Sequence, residues 1–214
     1  MLALVTPLSG NLSPRARIDW FVIDFGPLRR REASLQDLAE GLNTADLARL
    51  TEEMCNLQLA SIEDAVDEDV VLVPEDPEAN DTFAARPEDV GLSWTLGHVV
   101  VHTTASSEES AALALVLARG LPVEGRSRYE VPWERATTVE FIRHRINESQ
   151  RMRLSMLASW PDQPHLHNFY APYEGRPPMN ALGRFLAGLA HDDPHLEQMR
   201  KIMAQARQLR ASAR

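Results

Sequence analysis

The chain has 214 residues, 44% of them hydrophobic and 25% charged, which is ordinary globular usage and enough for one large domain. A net charge of −9 and a pI near 5.3, with no basic block, exclude a dedicated nucleic-acid-binding surface. A single cysteine excludes an internal disulfide and any cysteine-rich zinc site; no apolar run nears the roughly 18 residues of a membrane span, and Met1 to Pro7 lacks a basic n-region, so a cytoplasmic protein without a signal peptide is expected.

Residues 1–43 read as an irregular arm packed across the rest. Ser13-Pro14 is an N-cap pattern, the apolar stretch Ile18 to Phe25 is interrupted by Gly26-Pro27, and Ser34 caps a short helix that Gly41 stops. A bundle over 44–214 follows. Its first long helix is predicted over 44–66, with Asn43 or Thr44 as cap. Leu47, Leu50, Met54, Leu57 and Ser61 recur at 3-4 spacing as one buried stripe. Cys55 flanks that stripe and reads as a small core residue, because the sequence shows no base or cation beside it.

Residues 67–92 are acidic and carry prolines at 74, 77 and 87, with a short apolar run, Val70 to Val73, of extended type. The segment reads as a solvated flap. A second helix spans 93–119, with Ser93 as N-cap and Gly120 as stop; its alanine, leucine and valine content predicts deep burial. Tyr129 and Trp133 lie in the loop 120–136. A capping box at Thr137 to Glu140 starts the third helix, which Pro161 ends. Ile142, Ile146, Ser149, Met156 and Trp160 mark its inner face, and Arg143, Arg145, Arg151 and Arg153 its solvated one. Residues 161–178 form a proline-rich loop with His165, His167, Tyr170 and Tyr173. The fourth helix covers 179–210 on the apolar stripe Leu182, Phe185, Leu189, Leu196, Met199, Met203. Four such helices make an all-α four-helix bundle.

Two histidine pairs stand out, His98/His102 on the second helix and His191/His195 on the fourth. Histidines four apart on a helix lie on one face, one turn apart, and two imidazoles so placed reach one metal ion. Such a pair alone is more often satisfied by hydrogen bonds than by metal. A second pair on another buried helix strengthens the metal reading, as do Asp192, Asp193 and Glu197, carboxylates able to orient imidazoles through their second nitrogen. Pro194 leaves two alternatives. A kinked but continuous helix keeps His191 and His195 together; a new helix, capped by Asp193 with Pro194 at its first position, separates them. Spacing alone does not choose between His98 and His102.

The pattern Trp94-Thr95 to His102, then His191, His195 and Gln198, resembles the DinB/YfiT-like metalloprotein superfamily over about residues 44–210. The resemblance implies a four-helix bundle holding a divalent metal ion (zinc, nickel, iron or manganese) with His102, His191 and His195. It leaves His98, Gln198, Asp192 and Trp94 around them as an outer shell or pocket wall. The segment Trp94-Thr95-x-Gly97-His98-Val99-x-x-His102 is similar to mycothiol-dependent maleylpyruvate isomerases, which carry a glutamate where this chain has His191. The chemistry so implied is thiol transfer or isomerisation on a small-molecule substrate. A low-molecular-weight thiol is the cosubstrate, because the protein offers no cysteine for the role. A hydrolase using metal-activated water and a non-catalytic bundle with a structural metal are the alternatives. Relatives of this type often form homodimers, and a homodimer is expected here.

Overall fold

A computed structural model describes residues 23–81, 87–124 and 131–213; the Ser13-Pro14 cap, most of the stretch 18–25 and Tyr129 lie outside these. Among the described residues there are seven α-helices: α1 Gly26–Arg29, α2 Leu35–Ala39, α3 Thr44–Ser61, α4 Asp67–Val70, α5 Leu96–Ala118, α6 Val139–Ala158 and α7 Ala181–Ser212. Short 3₁₀ turns occupy Pro87–Asp89 and Trp133–Arg135. Among the described residues the only β pairing is an isolated bridge between Tyr170 and Met179, and no helix is long and apolar enough to cross a membrane.

The caps explain the boundaries. At Ser34 the hydroxyl accepts from the Asp37 N–H, and the Asp37 carboxylate accepts from the Ser34 N–H, closing a reciprocal box. Asn43 closes the same kind of box with Asp46 at the start of α3. Helix α5 begins two residues later than predicted. Its cap is Thr95, whose hydroxyl accepts from the His98 N–H, not Ser93. Thr138 caps α6 by accepting from the Phe141 N–H, one position along from the predicted box. Gly41 and Gly120, at φ +79° and +76°, end their helices in the left-handed region that glycine enters without strain.

α3, α5, α6 and α7 form the bundle. Helices α5 and α3 each pack against both α6 and α7. That leaves α3 diagonal to α5, and α6 diagonal to α7. The two diagonal connections are the long ones, 62–95 and 159–180.

The core is split in two along the axis. One apolar cluster joins Leu47, Leu50 and Met54 to Leu117, Leu157, Phe185 and Leu189. The other joins Cys55 and Ile62 to Val99, Val100, Ile142, Ile146, Met199 and Met203. All six predicted stripe residues of α7 are buried. The α3 stripe drifts: beyond Met54 the buried positions are Cys55, Gln58 and Ile62, while Leu57 and Ser61 are half-buried. On α6, Leu157 and Arg153 take the inner face expected of Met156. Arg153 is 2% exposed, so its assignment to the solvated side is corrected.

The acidic segment after α3 is tied down instead of standing off as a solvated flap. Asp67 accepts from the Val139 N–H at the start of α6. Asp69 pairs with Arg210, and Asp64 with Arg207 and Arg210 on α7. Further on, Glu75 and the Gln205 side chain exchange two hydrogen bonds, 2.8 and 3.0 Å long. Val70 ends α4 fully buried and anchors the run that follows.

Gly97 sets the fit between α5 and the loop before α6. A Cβ built there lies 2.2 Å from the Ala136 carbonyl oxygen, a backbone atom with no rotamer to change. The absence of a side chain lets residues 131–137 lie directly on the first turn of α5. Gly97→Ala is therefore expected to destabilise the protein by about 1–3 kcal/mol, as overpacking does. Urea unfolding of the variant beside the wild type reads this, and equal midpoints would refute the contact.

Candidate metal centre

His102 lies in the second turn of α5, and His191 and His195 lie one turn apart on α7, the helix packed beside it. Helix α7 runs unbroken through Pro194, so the continuous alternative holds and both α7 imidazoles face the same way. Proline removes the bond that its own N–H would have made to the carbonyl four residues earlier and crowds that carbonyl, but the helix continues past it.

The three rings close a near-equilateral triangle. Centroids are 4.9 Å apart for His102 and His191, 5.1 Å for His102 and His195, and 4.7 Å for His191 and His195. One ring nitrogen from each falls within 4.8 Å of the other two. The Nε2 atoms of His102 and His191 are 3.1 Å apart. Two nitrogens each about 2.1 Å from one ion, at angles between octahedral and tetrahedral, stand about 3.0–3.4 Å apart. The observed separation therefore fits one coordination polyhedron, and this triad could hold a metal ion.

The surroundings favour the neutral, ligating form. Gln198 Oε1 lies 2.8 Å from His195 Nδ1. As an acceptor, that oxygen fixes the proton on Nδ1 and leaves the Nε2 lone pair for the centre. Burial pushes the His195 pKa down to about 4; the Gln198 bond acts against this and a charge on His102 adds to it. At neutral pH the ring is uncharged.

Trp94 packs over the cluster. Its ring is 4.6 Å from His102, and 5.7 Å from His195 in a nearly parallel stack. His98 does not join the triad. It is sandwiched between Trp94 at 4.3 Å and Trp133 at 4.9 Å, both close to parallel. The other candidates lie elsewhere. His165 and His167 contact each other, and the His165 N–H donates to the Ala118 carbonyl at the opposite end of α5, roughly 24 Å along the axis from His102 at about 1.5 Å per residue. Tyr170 packs on the far apolar cluster and Tyr173 lies exposed beneath Arg176.

The carboxylates expected to orient imidazoles bind other groups. Asp193 pairs with Arg29 and Glu197 with Arg200. Asp192, 1% exposed, accepts from the Ser107 hydroxyl at 2.7 Å and from Arg153 Nη1 at 2.9 Å. The other terminal nitrogen of Arg153 lies 2.7 Å from Cys55 Sγ. One residue from each of the four long helices thus meets in the bundle interior, with Asp192 next in sequence to His191. Cys55 does have a cation beside it, contrary to expectation. The thiol is nevertheless fully buried, and burial pushes its pKa up to about 11 against the pull of Arg153, so it stays protonated. Burial likewise pushes the Asp192 carboxyl up, opposed chiefly by Arg153 and Ser107.

A family model described as DinB superfamily matches residues 28–199. No curated protein and no solved structure matches the chain.

Proposed function

The chain belongs to the DinB superfamily, and from that premise we propose that His102, His191 and His195 hold one divalent metal ion at which a low-molecular-weight thiol is transferred to an electrophilic small molecule. The observation that carries the metal reading is the convergence of three imidazoles, two of their Nε2 atoms 3.1 Å apart and the third ring fixed by Gln198. When bound, such an ion supplies the positive charge that lowers the pKa of a coordinated thiol or water toward neutrality.

The chain's own residues supply the rest. Gln198 holds the His195 tautomer, and Trp94 covers the ligand rings and keeps water from their faces. Ser107, Asp192 and Arg153 pin α5, α7 and α6 together next to His191. No described histidine beyond the three approaches the centre, and His98 is held in its aromatic sandwich. A structural zinc site normally fills all four positions from the protein, so a three-imidazole set favours an open, reactive centre. The sulfur must come from a cosubstrate, because Cys55 is sealed in the core with its thiol protonated.

The test is metal analysis of untagged protein, followed by a screen of small thiols against electrophiles. About one equivalent of metal and a rate that depends on both metal and thiol support the reading. Metal-dependent turnover without thiol would replace transfer with hydrolysis, and loss of structure without turnover on metal removal would make the ion structural.

A further inference from the structure

A cavity of about 140 Å³ opens to solvent beside the first turn of α5. Its walls are the Trp133 and His98 rings, the exposed valines Val71 and Val73 of the tethered acidic segment, and Leu92, with Glu134 at the rim. The triad residues do not line it. The cavity connects to them through a line of stacked rings, from Trp133 to His98 to Trp94 to His195, with neighbouring planes within 20° of parallel. His98 is one helical turn, about 6 Å, from His102.

From this we infer that the cavity is a binding site for a single planar, uncharged or cationic ring. On the thiol-transfer reading above, which this inference rests on for its functional meaning, that ring is the part of the electrophilic substrate remote from its reacting atom.

Size comes first. An apolar protein cavity of roughly 150 Å³ holds one benzene, so this one takes a single ring and not a fused pair. Shape comes second. Trp133, one face of which is taken by His98, offers flat aromatic surface, against which another ring packs offset or edge-on, while the sandwiched His98 ring offers only its edge. Charge comes third. Glu134 at the mouth, on a chain of net charge −9, disfavours an anion.

The walls are also preorganised. Residues 131–137 are seated on Gly97, and the segment carrying Val71 and Val73 is anchored by buried Val70 and by the Glu75–Gln205 pair. A binding group therefore pays little to order its site. Two exposed valines on a tethered strap are otherwise without a role in the bundle's core.

The test is a fluorine NMR titration with 4-fluorobenzyl alcohol, a neutral one-ring probe, on both metal-free and metal-loaded protein. Saturable binding at about millimolar concentration is expected for a ligand of this size. Trp133→Ala removes one aromatic face and should weaken binding about fivefold to tenfold. Val73→Glu adds a carboxylate at an exposed wall position and should weaken it to a similar degree. Leu209→Glu, at an exposed position on the last turns of α7, should leave it unchanged. No saturation in the wild type up to tens of millimolar, wild-type affinity in either wall variant that keeps its helical circular dichroism, or equal weakening by Leu209→Glu would overturn the site. Probe binding without any thiol-dependent turnover would sink the catalytic reading and leave the cavity standing. Turnover without probe binding would do the reverse.

Discussion

Arg153→Met is expected to cost about 3–5 kcal/mol of folding stability, the range for removing one partner of a buried ion pair. The variant keeps most of the apolar volume and deletes the guanidinium. Asp192, 1% exposed, is then left with the Ser107 hydroxyl as its bonding partner. A buried carboxylate without a counter-charge protonates instead of staying ionised. Burial already pushes this carboxyl up, and the largest opposing influence is the guanidinium being removed.

The pH dependence of that deficit has a definite sign. A carboxyl with a folded pKa above its unfolded value stabilises the fold fully only when protonated, below the unfolded value near 4, and loses that contribution as pH rises through the folded one. Urea unfolding of Arg153→Met should therefore show its largest deficit at neutral pH and a smaller one toward pH 4. Arg153→Met combined with Asp192→Asn should recover much of the loss, because neither partner then needs a counter-charge. A single variant as stable as the wild type at pH 7 would show that the pair does not hold α6 to α7.

That network was the part of the molecule least legible in the sequence. Ile146, Ser149, Arg153 and Leu157 follow one stripe at 3-4-4 spacing, of which Ile146 and Ser149 read as interior, while the neighbouring Met156 reads as interior in place of Leu157. Arginine types as exposed because its charge is seldom buried without a partner, and the partner is Asp192, 39 residues away. No local pattern announces such a pairing. The same limit hid the contact with Cys55, 98 residues from Arg153 in sequence.

The helices were legible because caps and apolar period act locally: Ser34, Asn43 and the α7 stripe all read correctly. The α5 cap was missed by two residues because Ser93 and Thr95 are both competent. Only the approach of Ala136 to Gly97 and the seat of Trp94 on His98 select the second. The acidic segment misled for a related reason. Its charges looked solvated, but Asp69 has an arginine partner, Arg210, on the last turns of α7, and Asp67 accepts from the Val139 N–H at the start of α6.

Replacing any one of His102, His191 or His195 with alanine is expected to abolish stoichiometric metal binding. A three-ligand site reduced to two loses both affinity and the geometry that closes the polyhedron. Removing the group that orients a ligand is milder: Gln198→Ala should weaken binding about 10–100-fold, the usual cost of losing an outer hydrogen bond to a ligating imidazole. His98→Ala should weaken it less than loss of any of the three, because His98 touches Trp94 and Trp133 and supplies no nitrogen to the triad. Pro194→Ala should retain the metal. The helix is already continuous through that position, and restoring an N–H allows the missing bond to the preceding turn without rotating His191 away from His195. Elemental analysis and calorimetric titration of the six variants, each checked for helical content, decide the matter. The assignment fails if His98→Ala empties the site while His102→Ala leaves it filled, for the centre would then be built on the other histidine of α5.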